Sequence, residues 1–108
     1  MNVHHSIEKE RWEGLSFADQ LGNIGSELSR MRSARNLGDY EKAFERALAL
    51  IDLTRSDRRW RSVSKLKELS RLRETLADAF SGGSAYGSDL QGLDNYLYSF
   101  ALAARLKK

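Results

Sequence analysis

The sequence predicts an all-α protein, folded as an antiparallel four-helix bundle with up-down-up-down topology. Apolar residues recur at steps of three and four in several long stretches, which is the spacing of one helix face. Proline is absent from the 108 residues, and turn-forming residues cluster at only a few points. A content of 41% hydrophobic and 31% charged residues suits helices with one buried and one solvated face.

The length of the chain fits one domain. We expect a polar N-terminal segment over residues 1–14, with Trp12 as its one large apolar anchor, and a single bundle domain over residues 15–108. His4 and His5 are the only histidines, and a metal site there would need two further ligands, so we expect neither a metal nor a cofactor. No apolar run reaches the roughly 20 residues that span a bilayer, and cysteine is absent. These features favour a cytoplasmic protein that does not enter the membrane.

The first helix is predicted over residues 16–36. Ser16 followed by Asp19 resembles a capping box at its start. One face carries an unbroken apolar seam, formed by Phe17, Leu21, Ile24, Leu28 and Met31. Beside it runs a line of small residues, formed by Ala18, Gly22, Gly25 and Ser29. Because glycine destabilises a helix, this line predicts the close approach of a neighbouring helix, with approach of a ligand as the alternative.

The second helix is predicted over residues 39–54, with Asp39 as its N-cap. Its apolar residues between Tyr40 and Leu53 merge into one broad face, so we expect it to be the central helix of the bundle. Asp52 lies within this apolar stretch, where a carboxylate close to the core needs a positive partner.

The third helix is predicted over residues 59–80, and an arginine occupies one position of its apolar seam. The seam consists of Leu66, Leu69, Arg73, Leu76 and Phe80. Since arginine stays protonated, it must meet an acceptor when it is buried. We therefore predict a buried ion pair between Arg73 and Asp52, or failing that Glu45, which fixes the helix register. A ligand-binding or catalytic pair is the alternative.

The net positive charge of the chain is concentrated between Arg55 and Arg73. Eight basic and two acidic residues lie between Arg55 and Arg73, whereas the whole chain carries a net charge of +3. We call residues 55–67 the basic segment. Its candidate polyanion-binding residues are Arg55, Arg58, Arg59, Trp60, Arg61, Lys65 and Lys67. Phosphates would contact the cations and a base would stack on the tryptophan. The alternative is a solvated connection whose tryptophan covers the core.

The last helix, predicted over residues 89–106, is apolar on more than one side. Its seam is formed by Leu90, Leu93, Leu97, Phe100 and Ala104. Further apolar residues lie off this seam, and the candidate self-association residues among them are Tyr96, Tyr98, Leu102 and Leu106. They favour a homo-oligomer or a protein partner. The alternative is that all of this surface is covered within one subunit.

Three blocks, QLGNIGSELSR, AFERALALIDLT and ELSRLRETLADAF, resemble a small bacterial family of uncharacterised all-helical proteins, and this resemblance implies no activity. The architecture is also similar to HEPN-type four-helix domains, which act as RNases or as partners of nucleotidyltransferases. Their nuclease motif, an arginine followed four to six residues later by a histidine, is missing. No catalytic motif is visible either, so the sequence favours a non-enzymatic interaction module. Nucleic-acid binding through the basic segment is the second hypothesis, and an enzyme that uses Asp52 and Arg73 is the third.

Overall fold

The computed structural model describes residues 9–81 and 90–106, and within these ranges the protein is all-helical. The predicted all-α class is therefore confirmed. A short helical segment, residues 9–13, precedes four long helices, and a 3-10 turn, Arg58–Trp60, separates the second of them from the third. The long helices are α1 (Phe17–Ser33), α2 (Leu37–Ser56), α3 (Val63–Phe80) and α4 (Leu90–Leu106).

Side-chain caps decide where the first three long helices begin. Ser16 accepts a hydrogen bond from the Asp19 amide, as the sequence predicts. Helix α2 begins at Leu37, two residues before the predicted start. The predicted cap is wrong, because Asn36 and not Asp39 is the N-cap and accepts the Asp39 amide proton at 2.8 Å. Helix α3 begins at Val63, later than predicted, because Ser62 caps it.

The central helix of the protein is α1, which packs most closely against α4 and α2. The prediction that α2 is central is wrong. Helix α1 buries seven residues, whereas α2 buries only four: Ala43, Ala47, Ile51 and Thr54. Apart from Ile51, the larger apolar side chains of α2 that pack against the core are only partly buried. Helix α2 contacts α3 more lightly, and α3 meets α4 at a few points.

Gly25 allows α1 and α4 to pack closely. A β-carbon added at Gly25 would lie 3.0 Å from the Leu97 β-carbon, which is closer than side chains normally approach. Leu97 itself is fully buried. The predicted close approach of a helix to this line of small residues therefore holds at Gly25. The side chains of Leu90 and Ala104, the two ends of the predicted α4 seam, lie outside the described part of the structure.

Helix α3 faces the core with a different set of residues from the predicted seam. Its buried residues are Leu69, Leu72, Thr75 and Leu76. Leu72 satisfies the same three-four spacing between Leu69 and Leu76 as Arg73 does. Leucine occupies the inner position because its burial carries no charge-desolvation cost, and the arginine lies at the rim.

The described part of the N-terminal segment packs against the bundle through Trp12. This side chain is 7% exposed and belongs to the hydrophobic core, which agrees with its predicted role as an anchor. The division of the chain at residues 14 and 15 stays a prediction.

Each long helix contributes one acidic side chain that contacts the next helix around the bundle. The four pairs are Glu27 with Arg46, Asp52 with Arg73, Glu68 with Tyr96, and Asp94 with Arg32. They join α1 to α2, α2 to α3, α3 to α4, and α4 back to α1. Polar contacts of this kind discriminate between helix registers, because a shift of one turn separates the partners.

None of the helices in residues 9–81 and 90–106 combines the length and the apolar composition that crossing a membrane requires.

Candidate functional sites

The predicted ion pair between Asp52 and Arg73 forms, but it is not buried. Arg73 Nε lies 3.1 Å from Asp52 Oδ1, and the two side chains are 41% and 51% exposed. Arg55 also approaches the same carboxylate oxygen, at 3.7 Å. Glu45, the alternative partner, is exposed and takes part in none of the ion pairs between described residues. The buried-pair prediction is wrong because Leu72 takes the inner position on α3.

Arg59, in the middle of the basic segment, is committed to contacts within the protein. Its Nη2 donates to Asp57 Oδ2 at 2.7 Å and to the Leu15 carbonyl at 2.7 Å, and its Nε donates to Asp57 Oδ1 at 3.0 Å. The Asp57 side chain is 3% exposed. A phosphate could bind Arg59 only by competing with the buried Asp57 carboxylate, which already binds the guanidinium group.

A fully buried glutamine extends this contact into a network. Gln20 Nε2 donates to the Trp12 carbonyl at 2.7 Å and to Asp57 Oδ2 at 3.0 Å, while Gln20 Oε1 accepts from Trp60 Nε1 at 2.9 Å. Trp12 Nε1 donates to Thr54 Oγ1 at 2.9 Å. We call Trp12, Gln20, Thr54, Asp57, Arg59 and Trp60 the buried network. It joins the N-terminal segment to α1, to the end of α2 and to the 3-10 turn, and it satisfies polar groups that would otherwise be costly to bury.

The network sets the protonation of Asp57. The hydrogen bonds from Arg59, helped by the one from Gln20, lower the pKa of this carboxyl from 3.8 to about 2, although burial acts in the opposite direction. The same bond to Asp57 raises the pKa of the Arg59 guanidinium. Both groups therefore stay charged across the physiological range.

Trp60 is engaged within the protein and is not presented to a base. Its ring lies edge-on to Phe17 with 5.2 Å between ring centroids, and the Arg59 guanidinium carbon lies 4.4 Å from the Trp60 centroid. Together with the hydrogen bond to Gln20, these contacts describe a tryptophan that covers the core. This matches the structural alternative for the basic segment.

The remaining cations of the basic segment differ in exposure and in their contacts. Arg58, Arg61 and Lys67 are exposed, whereas Lys65 is half-buried with its Nζ 5.5 Å from the Phe17 ring centroid. Arg55 approaches Asp52, as described above.

Three of the four candidate self-association residues form a stripe on the outer face of α4. Tyr98, Leu102 and Leu106 follow one another at steps of four and are 55%, 42% and 78% exposed. We call them the α4 stripe. Tyr96 points elsewhere, because its hydroxyl donates to the Glu68 carboxylate of α3. Burial, and secondarily the contact with Glu68, raises the pKa of Tyr96 to about 12. Tyr96 therefore belongs to the α3–α4 interface.

A basic cleft lies where α1 ends and α2 begins, and the sequence analysis did not find it. It has a volume of about 450 Å³, and its charged and amide-bearing lining residues are Arg30, Arg35, Asn36, Asp39, Lys42 and Arg46. The four cations come from two helices and a short turn, so they do not form a run in the sequence. The available signal was that basic residues flank the predicted turn on both sides.

Within residues 9–81 and 90–106, no group of three or more histidine, cysteine, aspartate or glutamate side chains is placed to hold a metal ion. His4 and His5 lie outside these ranges.

Comparison with known proteins gives no match to a family model, to a curated protein or to a solved structure. The resemblance to a bacterial family of helical proteins and the architectural similarity to HEPN-type domains therefore stay predictions.

Proposed function

We propose that the protein is a non-enzymatic interaction module that self-associates through the α4 stripe. The observation that carries this proposal is the alignment of three exposed apolar side chains, Tyr98, Leu102 and Leu106, on one face of one helix. Apolar side chains that are exposed singly need no explanation, whereas a contiguous row of them marks an interaction surface. Burial of such a row in a helix pair would supply the main favourable free energy of association.

A second copy of the chain is the partner that this surface fits best. Helix α4 contains only two charged residues, Asp94 and Arg105, and Asp94 is already paired with Arg32 of α1. Two copies of the stripe can therefore meet across a two-fold axis without repulsion between like charges. A strongly charged partner would find little to pair with on this face. Because three side chains form a small interface, we expect a concentration-dependent dimer and not an obligate one.

We also propose the up-down-up-down topology and the bacterial, cytoplasmic origin that the sequence predicts. Successive helices contact one another and α4 contacts α1, which is the order of neighbours in an antiparallel up-down-up-down bundle. A short connection between α1 and α2 supports their antiparallel arrangement. A bacterial, cytoplasmic protein is compatible with the cysteine-free sequence.

The test is the molar mass in solution, measured by light scattering across a concentration series. We expect the mass to rise from 12.3 kDa toward twice that value as concentration increases. The variant Leu102→Asp/Leu106→Asp should remain at the monomer mass at every concentration, because two charges replace the apolar stripe.

A matched control places the same substitutions on exposed apolar residues outside α4. Leu37 and Val63 are 68% and 76% exposed and belong to different helices. The variant Leu37→Asp/Val63→Asp should dimerise like the unmodified protein. A monomer at all concentrations, or equal loss of dimer in both variants, would contradict the proposal. Circular dichroism of each variant separates loss of association from loss of fold.

The two alternative functions have weaker support. Nucleic-acid binding through the basic segment is less well supported because two of its candidate residues, Arg59 and Trp60, take part in the buried network. An enzyme based on Asp52 and Arg73 would depend on an ion pair whose side chains are 51% and 41% exposed, whereas substrate sites usually enclose most of the ligand.

A further inference from the structure

We propose that the basic cleft between α1 and α2 binds a compact anion that carries adjacent phosphate groups. Four cationic side chains, Arg30, Arg35, Lys42 and Arg46, line one cleft against the single carboxylate of Asp39. When the Glu27 carboxylate that contacts Arg30 and Arg46 is counted as well, two positive charges remain in excess, which is more than one monovalent anion would neutralise. The site is separate from the α4 stripe and does not depend on self-association.

Two arginines of the cleft, Arg30 and Arg46, are held in place by the Glu27 carboxylate. The Glu27 side chain, only 11% exposed, contacts Arg30 Nη1 through Oε2 and Arg46 Nε through Oε1, each at 3.0 Å. Arg46 makes this contact through Nε, so neither of its Nη groups takes part in it. Because Glu27 orients the two guanidinium groups before any ligand arrives, less side-chain entropy is lost on binding.

The other two cations have no carboxylate partner in the described ranges. Arg35 and Lys42 are exposed and take part in none of the ion pairs there. Asp39, the acidic residue of the cleft, accepts a hydrogen bond from Asn36 Nδ2 at 3.1 Å instead. Arg35 and Lys42 therefore supply positive charge that the protein itself does not neutralise.

The residues around the cleft indicate recognition of phosphate and not of a nucleobase. No aromatic side chain is among its described lining residues, so there is no surface on which a base would stack. Arginine binds phosphate oxygens with two parallel hydrogen bonds, and lysine adds a point charge. Inorganic tripolyphosphate combines several phosphates in one small anion and is the appropriate probe.

The experiment is isothermal titration of the full chain with tripolyphosphate at about 50 mM and about 200 mM salt. We expect binding that weakens as salt increases. In the variant Arg35→Gln/Lys42→Gln, affinity should fall by at least about tenfold, because two charge-assisted contacts are lost. Both residues are exposed and unpaired, so the variant should retain the helical content of the original protein.

The matched control is Arg58→Gln/Arg61→Gln, which removes the same number of charges from exposed positions of the basic segment. Its affinity for tripolyphosphate should stay within about twofold of the original, because only long-range attraction changes. Equal weakening in both variants would overturn the proposal in favour of diffuse attraction to net charge. Absence of binding at the lower salt concentration would also overturn it.

Two further probes test the chemical class of the ligand. ATP should bind no more tightly than tripolyphosphate, because the cleft offers no contact for the base. A single-stranded oligonucleotide of about 20 nucleotides should bind more weakly than tripolyphosphate at the same salt concentration. An oligonucleotide that binds more tightly, and loses affinity in Arg35→Gln/Lys42→Gln, would overturn the compact-anion proposal and identify the cleft as part of a nucleic-acid surface.

Discussion

Two aspartate–arginine pairs have aspartates that lie only five residues apart along the chain, yet the surroundings of these pairs differ completely. Asp57 and Arg59 are joined at 2.7 Å, and the carboxylate is 3% exposed. Asp52 and Arg73 are joined at 3.1 Å, and the carboxylate is 51% exposed. Asp57 also binds Gln20, whereas the second cation near Asp52 is 3.7 Å away. Burial and additional donors, more than the distance of one contact, therefore determine what an ion pair contributes to stability.

The largest expected effect comes from removing the buried carboxylate. We expect Asp57→Ala to lower the free energy of unfolding by about 3 kcal/mol, because Arg59 and Gln20 both lose an acceptor inside the network. Urea unfolding followed by circular dichroism measures this value. A loss no greater than that of Asp52→Ala would contradict the distinction between the two pairs.

Low pH should remove the stabilising contribution of the Asp57–Arg59 pair without any substitution at Arg59. The folded-state pKa of Asp57 is about 2, below its ordinary value of 3.8. The ionised carboxylate therefore stabilises the fold above about pH 3.8, and this contribution disappears as the pH falls through about 2. We expect it to amount to about 2 kcal/mol. The measurement is urea unfolding between these pH values, and Asp57→Asn should remove this part of the pH dependence.

Trp12→Phe tests the far end of the buried network. The substitution keeps an aromatic ring in the core but removes the hydrogen bond to Thr54 and leaves a small void. We expect a loss of about 1 to 2 kcal/mol in the free energy of unfolding. Thermal unfolding is a suitable measurement, with Trp60 fluorescence as a second probe. A variant as stable as the original protein would show that the N-terminal segment does not stabilise the bundle.

The smallest effect is expected at the exposed pair. A double-mutant cycle with Asp52→Ala and Arg73→Ala should give a coupling free energy of about 0.5 kcal/mol or less, because water screens both charges. Increasing the salt concentration should reduce the coupling further. A coupling comparable to the Asp57 effect would mean that the two pairs are equivalent despite their difference in exposure.

The sequence predicted the helices well because their signals are local. The cap at Ser16 and the seam from Leu21 to Met31 each involve residues within a few turns of one helix, and the structure contains both. The start of α3 was misplaced because Asp57 folds the next three residues into a 3-10 turn by accepting the Arg59 amide proton. That turn depends on a carboxylate that is held in place by Gln20, a residue 37 positions away.

The candidate sites were less predictable because they depend on which side of a helix faces inward. The three-four spacing fits Leu72 as well as Arg73 between the same leucines, and only the folded structure distinguishes the two, with Leu72 4% exposed and the Arg73 side chain 41% exposed. Trp60 looks like a surface residue in the sequence because its partner Gln20 lies in a different helix, and Arg59 does so because its contact with the Leu15 carbonyl spans 44 positions. The basic cleft combines cations from α1, the turn and α2, and a search for charge runs does not detect such a combination.

The circular arrangement of one acidic side chain per helix has a consequence for how the sequence can change over time. A charge reversal at Glu27 can be compensated at its partners Arg46 and Arg30, but not at the other three interfaces. Residues in each pair should therefore covary with one another, while the four pairs drift independently. In an alignment of related sequences, the interhelical contacts of the bundle should appear as four separate pairwise correlations.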